Sequence, residues 1–475
     1  MSSPNEDFVR EVRQFGFSED ADHMLPWLTD WRGRFRGRAI GLASPESTAD
    51  VAALVCLCAR YGVPIVPQGG NSSMSGGATP DASGTAIILS LRRMNAIRSI
   101  DSDTREAVCE AGVVLQTLHE AARASGLRFP LTLGGKGSAT IGGLISTNAG
   151  GTQVLRHGTM RAQVLGLEAV MADGSIIGTL DPLTKDNRGF DLKQLLIGSE
   201  GTLGIVTAAT LRLVPAIADR QVAWIGLASI AQARELLLHC EAAMGQQLEG
   251  FEVLPLHSLD AVLGYLPAAR SPLTGAHAWH ALVEVVSDGE AKPDLESVLA
   301  SAMDKGLLED AAIASSEAQA EAFWTLRESI SPSERAIGPA MQHDISVPVA
   351  KMAAFVETVT PEVEQRFPGT KAIAFGHLGD GNVHFHVLAP AGSVRGEWEE
   401  IQGKTISAFV HDRVTDWGGS ISAEHGIGQL KTDELARLAN PAELAVMRAV
   451  KTALDPLGLL NPGKLLPLAK NSPTA

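Results

Sequence analysis

The sequence predicts an α+β protein of two domains, on three observations. At 475 residues it is too long for one ordinary hydrophobic core. Helix and strand runs alternate through residues 48–215 with unusual glycine density, and the texture changes from 216 to 435. A strand with clean two-residue alternation, Val383, Phe385 and Val387 against His384 and His386, ends a glycine-rich turn. In the first half, residues 48–61 read as a helix with Thr48 as N-cap. Strands are expected at 63–67, 86–89, 107–109, 165–171 and 204–213, with a helix at 114–125 stopped by Gly126. Asp173-Gly174 marks a hairpin turn. In the second half, strands are expected at 224–227 and 282–286 and helices at 230–244, 294–305 and 349–366. A last helix, 442–454, precedes a Pro-Gly turn. The domains expected are 1–215, 216–435 and a terminal segment, 436–475.

Composition narrows the function. There are 39 basic and 54 acidic residues, a net charge of −15, which argues against nucleic acid or an anionic membrane as the main partner. Arg32, Arg34, Arg36 and Arg38 are a local exception, read either as a solvated edge strand or as a phosphate contact. Cys56, Cys58, Cys109 and Cys240 lack metal-ligand spacing, and Cys56 and Cys58, in an apolar helical run, read as small core residues. This fits a reducing compartment. The acidic N-terminus has neither a signal core nor an Arg-rich presequence, and no run of 18 apolar residues occurs. The expected location is the cytoplasm, without a membrane span. The oligomeric state stays open, a homodimer being one option.

Three glycine loops stand out. They are residues 67–77, 134–151 and 197–206. The first follows a strand directly, and its small residues free consecutive backbone N–H groups for an anion such as a pyrophosphate. Each loop alone is readily a tight turn; three together favour a large phosphate-bearing cofactor. None carries the GxGxxG dinucleotide fingerprint. Residues 458–464 have P-loop spacing, but Leu465 stands where Ser or Thr should bind magnesium, and Pro462 interrupts it.

His377, His384 and His386 lie within ten residues, and Glu424 and His425 follow forty residues on. A lone strand histidine is usually just hydrogen-bonded. Two histidines and a glutamate suffice for a catalytic metal site with open positions.

These motifs together resemble a known family. Residues 68–71, 142–151 and 198–204 look like the FAD-binding domain of the vanillyl-alcohol oxidase superfamily. Residues 376–382, 423–426 and 461–464 look like its FAD-linked D-2-hydroxyacid dehydrogenase branch, and the resemblance runs from about residue 40 to 466. It implies an FAD-binding domain, an α+β cap that binds substrate and metal, and a C-terminal segment returning to the FAD domain. It implies FAD contacts at Gln68, Gly69, Gly70, Asn71, Ser72 and Gly76 in the first loop. In the second it implies Gly135, Gly137, Ser138, Gly142, Gly143, Asn148 and Gly150, and beyond it Gly201, Ile205 and Asn461. It makes His377, His384 and Glu424 ligands of zinc or manganese, His425 the base, and Arg327 the partner of a substrate carboxylate.

The branch nearest in pattern acts on D-2-hydroxyglutarate, with D-lactate dehydrogenases next. Two positions depart from it: Gln342 stands where a lysine is expected, and His386 where an asparagine is. Ser331 replaces a threonine and keeps the hydroxyl. Losing the lysine weakens the case for a second substrate carboxylate. The implied chemistry is metal-assisted oxidation of a 2-hydroxy acid, with proton transfer to His425 and hydride transfer to flavin N5. Relatives pass electrons to an electron-transfer flavoprotein or a quinone. Two readings from other classes compete: a metal-dependent hydrolase, which leaves the glycine loops unexplained, and a non-catalytic flavin-binding subunit, which leaves the histidines unexplained.

Overall fold

The computed structural model describes residues 4–289 and 291–467. They form two compact units. The first comprises residues up to 151, 158–216 and 424 onward; the second comprises 152–157 and 217–423. Among the described residues no helix is long and apolar enough to cross a membrane.

Besides a two-stranded pair, Leu127–Arg128 with Val214–Pro215, the first unit holds two larger sheets. One is a three-stranded parallel sheet in which Ile87–Ser90 lies between Leu42–Ala43 and Ile65–Gln68. The other is antiparallel, in the order Ile97–Asp101, Glu106–Glu110, Ile205–Arg212, Val164–Val170, Ile176–Thr179. Its last two strands form the hairpin expected at Asp173-Gly174. The helix Thr48–Tyr61 is capped by Ser47, not Thr48. Ser47 has extended backbone angles and accepts from Asp50 N–H, while Thr48 is already helical. On that helix Cys58 is buried and Cys56 exposed. Two positions apart on a helix lie about 200° apart, so a shared core role was ruled out by geometry. Burial pushes the Cys58 thiol up to about 12.

The second unit is built on a seven-stranded antiparallel sheet. Its order is Asp310–Ile313, Asp219–Leu227, Trp279–Ser287, Leu248–Pro255, Lys371–His377, Asn382–Leu388, Ala340–Ser346. Helices Ile230–Met244 and Met352–Arg366 pack on one face over Val383, Phe385 and Val387. Part of the opposite face packs around Trp224, Phe323, Leu326 and Phe375. Strand Leu248–Pro255 escapes the alternation rule because Glu249 and Glu252 sit buried in an otherwise apolar run. The turn between the two histidine strands needs Gly381, which has φ 79°; a Cβ there would stand 2.2 Å from the Val347 carbonyl oxygen.

Candidate active site

In the first unit the glycine loops meet through backbone. A Cβ on Gly69 would stand 2.1 Å from Thr140 Oγ1, and one on Gly70 1.8 Å from the Ser138 carbonyl oxygen. Glycine is therefore required where the first loop crosses the second. Arg92, stacked on Trp27, donates to the carbonyls of Gly69 (3.0 Å) and Gly70 (3.2 Å). Those carbonyls are thereby turned to one side of the loop. Among the described residues, the N–H groups of residues 69–74 meet no protein acceptor, though the loop is half-buried. Asn71 takes φ 54°, and Ser72 lies close to Gly135. A run of unspent donors on a loop with small side chains fits a pyrophosphate.

Several polar residues of the loops hold protein instead. Gln68 donates to the carbonyls of Trp27 and Ala78, and Asn71 to those of Pro26 and Thr29. The Asn148 side-chain oxygen accepts from Thr159 Oγ1 and Arg161 N–H. Asn461 donates to the carbonyls of Gly77 (2.9 Å) and Glu200 (2.7 Å), joining the C-terminal segment to the first and third loops. Gly142 packs on Ala111 and Gly201 on Pro67, while Ile205 is buried. Gly76 packs on Phe35. Gly143, Gly137 and Ser138 keep ordinary distances to their neighbours, and Gly150 is buried.

The segment after His425 is clamped within this unit. Both oxygens of buried Glu200 accept backbone N–H bonds at 2.7 Å, from Ile427 and Gly428. Burial pushes the Glu200 carboxyl up, against the pull of these donors and of Lys431 and Lys464. Ser75 donates to the Gly426 carbonyl at 3.1 Å. His425 thus lies next to a backbone fixed on the first and third glycine loops. Glu424 is where the chain re-enters this unit.

In the second unit, cross-strand register gathers polar side chains on one sheet face. Glu252 is opposite His377, Phe375 opposite His384, Asp344 opposite His384, and Gln342 opposite His386. The His377 and His384 rings are 5.5 Å apart, and a nitrogen of each lies within 4.8 Å of the other. His377 Nδ1 bonds to Glu252, which fixes the orientation of the ring. Burial, with nearby Arg327 and His377, holds the His384 imidazole well below its usual range and so neutral, as a metal ligand must be. Asn382 pins Asp344 at 2.9 Å.

Arg327, on the helix Glu317–Glu328, donates from Nε to Glu252 at 2.8 Å and lies over the Phe375 ring. Its terminal nitrogens remain for a carboxylate. His386 Nδ1 bonds to fully buried Glu334, on the helix Ile330–Ile337, which also carries half-buried Ser331 one turn earlier. His343 faces away from Gln342, toward the Phe385 carbonyl and Ser407, and Arg335 is exposed. Glu252, Asp344, Glu334 and Arg92 are support residues that motif reading missed. The one visible signal was two glutamates inside an apolar strand.

Residues 39–179 match the model of an FAD binding domain and 217–465 that of the C-terminal domain of FAD linked oxidases. D-2-Hydroxyglutarate dehydrogenase, mitochondrial, of Arabidopsis thaliana is 35% identical over 451 residues, 94% of this chain and 79% of that protein. This chain belongs to the FAD-linked D-2-hydroxyacid dehydrogenase family. The family member of Xanthomonas citri pv. viticola, named D-2-hydroxyglutarate dehydrogenase, is 35% identical, with 92% of this chain and 91% of that one covered. The mitochondrial enzyme of that name from Bos taurus is 36% identical over 94% of this chain and 80% of its own length. Among solved structures, p-cresol methylhydroxylase superposes with a TM-score of 0.77 at 15% identity, covering 98% of each chain. An alkyldihydroxyacetonephosphate synthase does so at 0.72 and 16%, covering 96% of this chain and 86% of that one. The fold is therefore that of the vanillyl-alcohol-oxidase-type FAD enzymes. Membership of this family makes the chain a flavin-dependent oxidoreductase, so the hydrolase reading falls.

Proposed function

We propose that this protein oxidises a D-2-hydroxy acid to the 2-oxo acid, with D-2-hydroxyglutarate first choice and D-lactate second. The observation that carries this is buried Glu252, which holds Arg327, reaching in from the helix Glu317–Glu328, and His377, with the His384 ring beside it on the same sheet face. FAD, when bound, supplies the hydride acceptor. A divalent cation, zinc or manganese, held by His377, His384 and Glu424, supplies a Lewis acid that lowers the hydroxyl pKa. His377 and His384 fit it: one is oriented through Nδ1 by a carboxylate, the other is held neutral.

Arg327 binds the substrate α-carboxylate with the nitrogens that Glu252 leaves open. Phe375 beneath the guanidinium and Glu252 beside it fix its plane. His425 accepts the hydroxyl proton, and the Glu200 clamp on Ile427 and Gly428 limits how far its backbone can stray. Gln342 and His386, paired across strands, stand for the far end of the substrate, with Ser331 on the helix that carries Glu334. The residues of the three glycine loops, with Asn461 of the C-terminal segment, hold FAD largely through backbone.

The electron acceptor in this reading is an electron-transfer flavoprotein or a quinone. We place the protein in the cytoplasm on its four free cysteines, although several relatives carry a mitochondrial designation in their names. A panel of D- and L-2-hydroxy acids assayed with an artificial electron acceptor tests the proposal. Turnover confined to D-enantiomers is expected; preference for an L-enantiomer would overturn it.

A further inference from the structure

The chain concentrates basic charge in one short segment outside the proposed site. Arg32, Arg34, Arg36 and Arg38 fall within seven positions of a protein with net charge −15. They belong to a hairpin in the first unit. Thr29 and Arg36 form an antiparallel bridge, and Gly33 turns the tip at φ 70°. Buried Asp30 ties the hairpin from inside. It accepts from Phe35 N–H at 2.6 Å and Arg32 N–H at 3.2 Å.

Strand alternation then sorts the side chains. Arg34, Arg36 and Arg38 are exposed, and Phe35 turns inward against Gly76. At the tip, Trp31 is 59% exposed. The hairpin is fastened to the first glycine loop. Asn71 donates to the carbonyls of Pro26 and Thr29, and Gln68 to that of Trp27. An exposed tryptophan beside a row of arginines has the composition of a protein-binding hot spot. Its sign opposes that of the rest of the surface, so it gives an acidic partner one favoured orientation.

We propose that the hairpin around Trp31, Arg34, Arg36 and Arg38 docks the acidic face of the electron-accepting protein. This rests on the dehydrogenase reading, because only an oxidised substrate leaves electrons to export. Each turnover converts one hydroxy acid to the oxo acid. Two electrons pass to the acceptor protein, and two protons go to solvent or follow the electrons. The hairpin's attachment to the first glycine loop ties the docking surface to a segment proposed to hold the cofactor.

The test uses the full-length, flavin-loaded enzyme with two acceptors, an electron-transfer flavoprotein and uncharged benzoquinone. In Arg36→Glu/Arg38→Glu, kcat/KM for the flavoprotein should fall tenfold or more and lose its salt dependence, while benzoquinone turnover stays at the wild-type level. Arg36→Lys/Arg38→Lys should retain most of the rate, and Trp31→Ala should raise KM for the flavoprotein with kcat held. Flavoprotein kinetics unchanged by charge reversal would overturn the proposal. So would a wild-type enzyme that reduces benzoquinone but not the flavoprotein. Wild-type enzyme that oxidises no D-2-hydroxy acid even with benzoquinone would overturn the dehydrogenase reading itself.

Discussion

Arg327 and Glu252 form a buried ion pair, Nε to Oε2 at 2.8 Å, with Glu252 nearly inaccessible and the arginine side chain only 11% exposed. The other carboxylate oxygen takes His377 Nδ1. Burial alone would raise the Glu252 carboxyl; Arg327 and His377 outweigh it and hold the group well below the usual carboxylate range. One residue thus orients both a carboxylate binder and a metal-ligand candidate. Removing it leaves a buried guanidinium without its partner, at a cost of about 3–5 kcal/mol. Glu252→Ala should lose that much in urea unfolding and lose kcat/KM for every substrate alike. Wild-type stability in the variant would contradict the pairing.

Glu424→Gln keeps the shape of the side chain and removes the anionic ligand. Metal content by elemental analysis and turnover should both collapse while flavin content holds. His425→Ala should separate the two, keeping metal and losing about a hundredfold in kcat. Bound metal and kcat both unchanged in Glu424→Gln would remove it from the ligand set.

The first glycine loop tolerates no side chain at its crossing. Gly70→Ala would place a methyl 1.8 Å from the Ser138 carbonyl oxygen, forcing the two loops apart. Purified variant should show little flavin absorbance, whereas Gly264→Ala, with nothing within 4 Å of the added carbon, should stay yellow. Acid precipitation of wild type should release the flavin into the supernatant, the outcome expected of FAD held without a covalent bond.

Position 342 reports on the far end of the substrate. Gln342→Lys restores the charge that the family pattern carries there. It should raise kcat/KM for D-2-hydroxyglutarate relative to D-lactate by about ten- to a hundredfold, the scale of one charge-assisted hydrogen bond. An unchanged ratio would mean that Gln342 does not face the distal group.

His280, opposite Leu254 on the strand Trp279–Ser287, should make stability pH-dependent. Trp224 Nε1 donates to its Nδ1 at 3.1 Å, which requires that nitrogen unprotonated. Burial first, then neighbouring His277, lower the imidazole from 6.5 to about 4. The unfolded chain therefore takes up the proton first. The stabilisation is complete above about pH 6.5 and is lost as pH falls toward 4, by up to about 3 kcal/mol. Urea midpoints at pH 7.5 and 5.0 should converge in His280→Gln relative to wild type; an equal decline in both proteins would assign the effect elsewhere.

The sequence by itself determined the α+β class, the glycine loops and the family. Each is written in local order: alternation at 383–387 sends Phe385 into the core and His384 to the other face, and three glycine-rich loops punctuate one half of the chain. Spacing also marked His377 and His384 as candidates for a metal site, whereas Arg327 was legible only through the family resemblance. Tertiary structure alone decided what supports them. Glu252 reaches His377 across 125 positions and Glu334 reaches His386 across 52, so neither pairing leaves a trace in local pattern. Gln68 and Asn71 resemble cofactor contacts in the sequence; only the folded chain shows their amides also donating to carbonyls of residues 26–29, more than forty positions back. His343 follows Gln342 directly but faces the opposite side, because a strand turns successive side chains to opposite faces. Periodicity shows which face a residue takes; only strand order and register decide which residues share it.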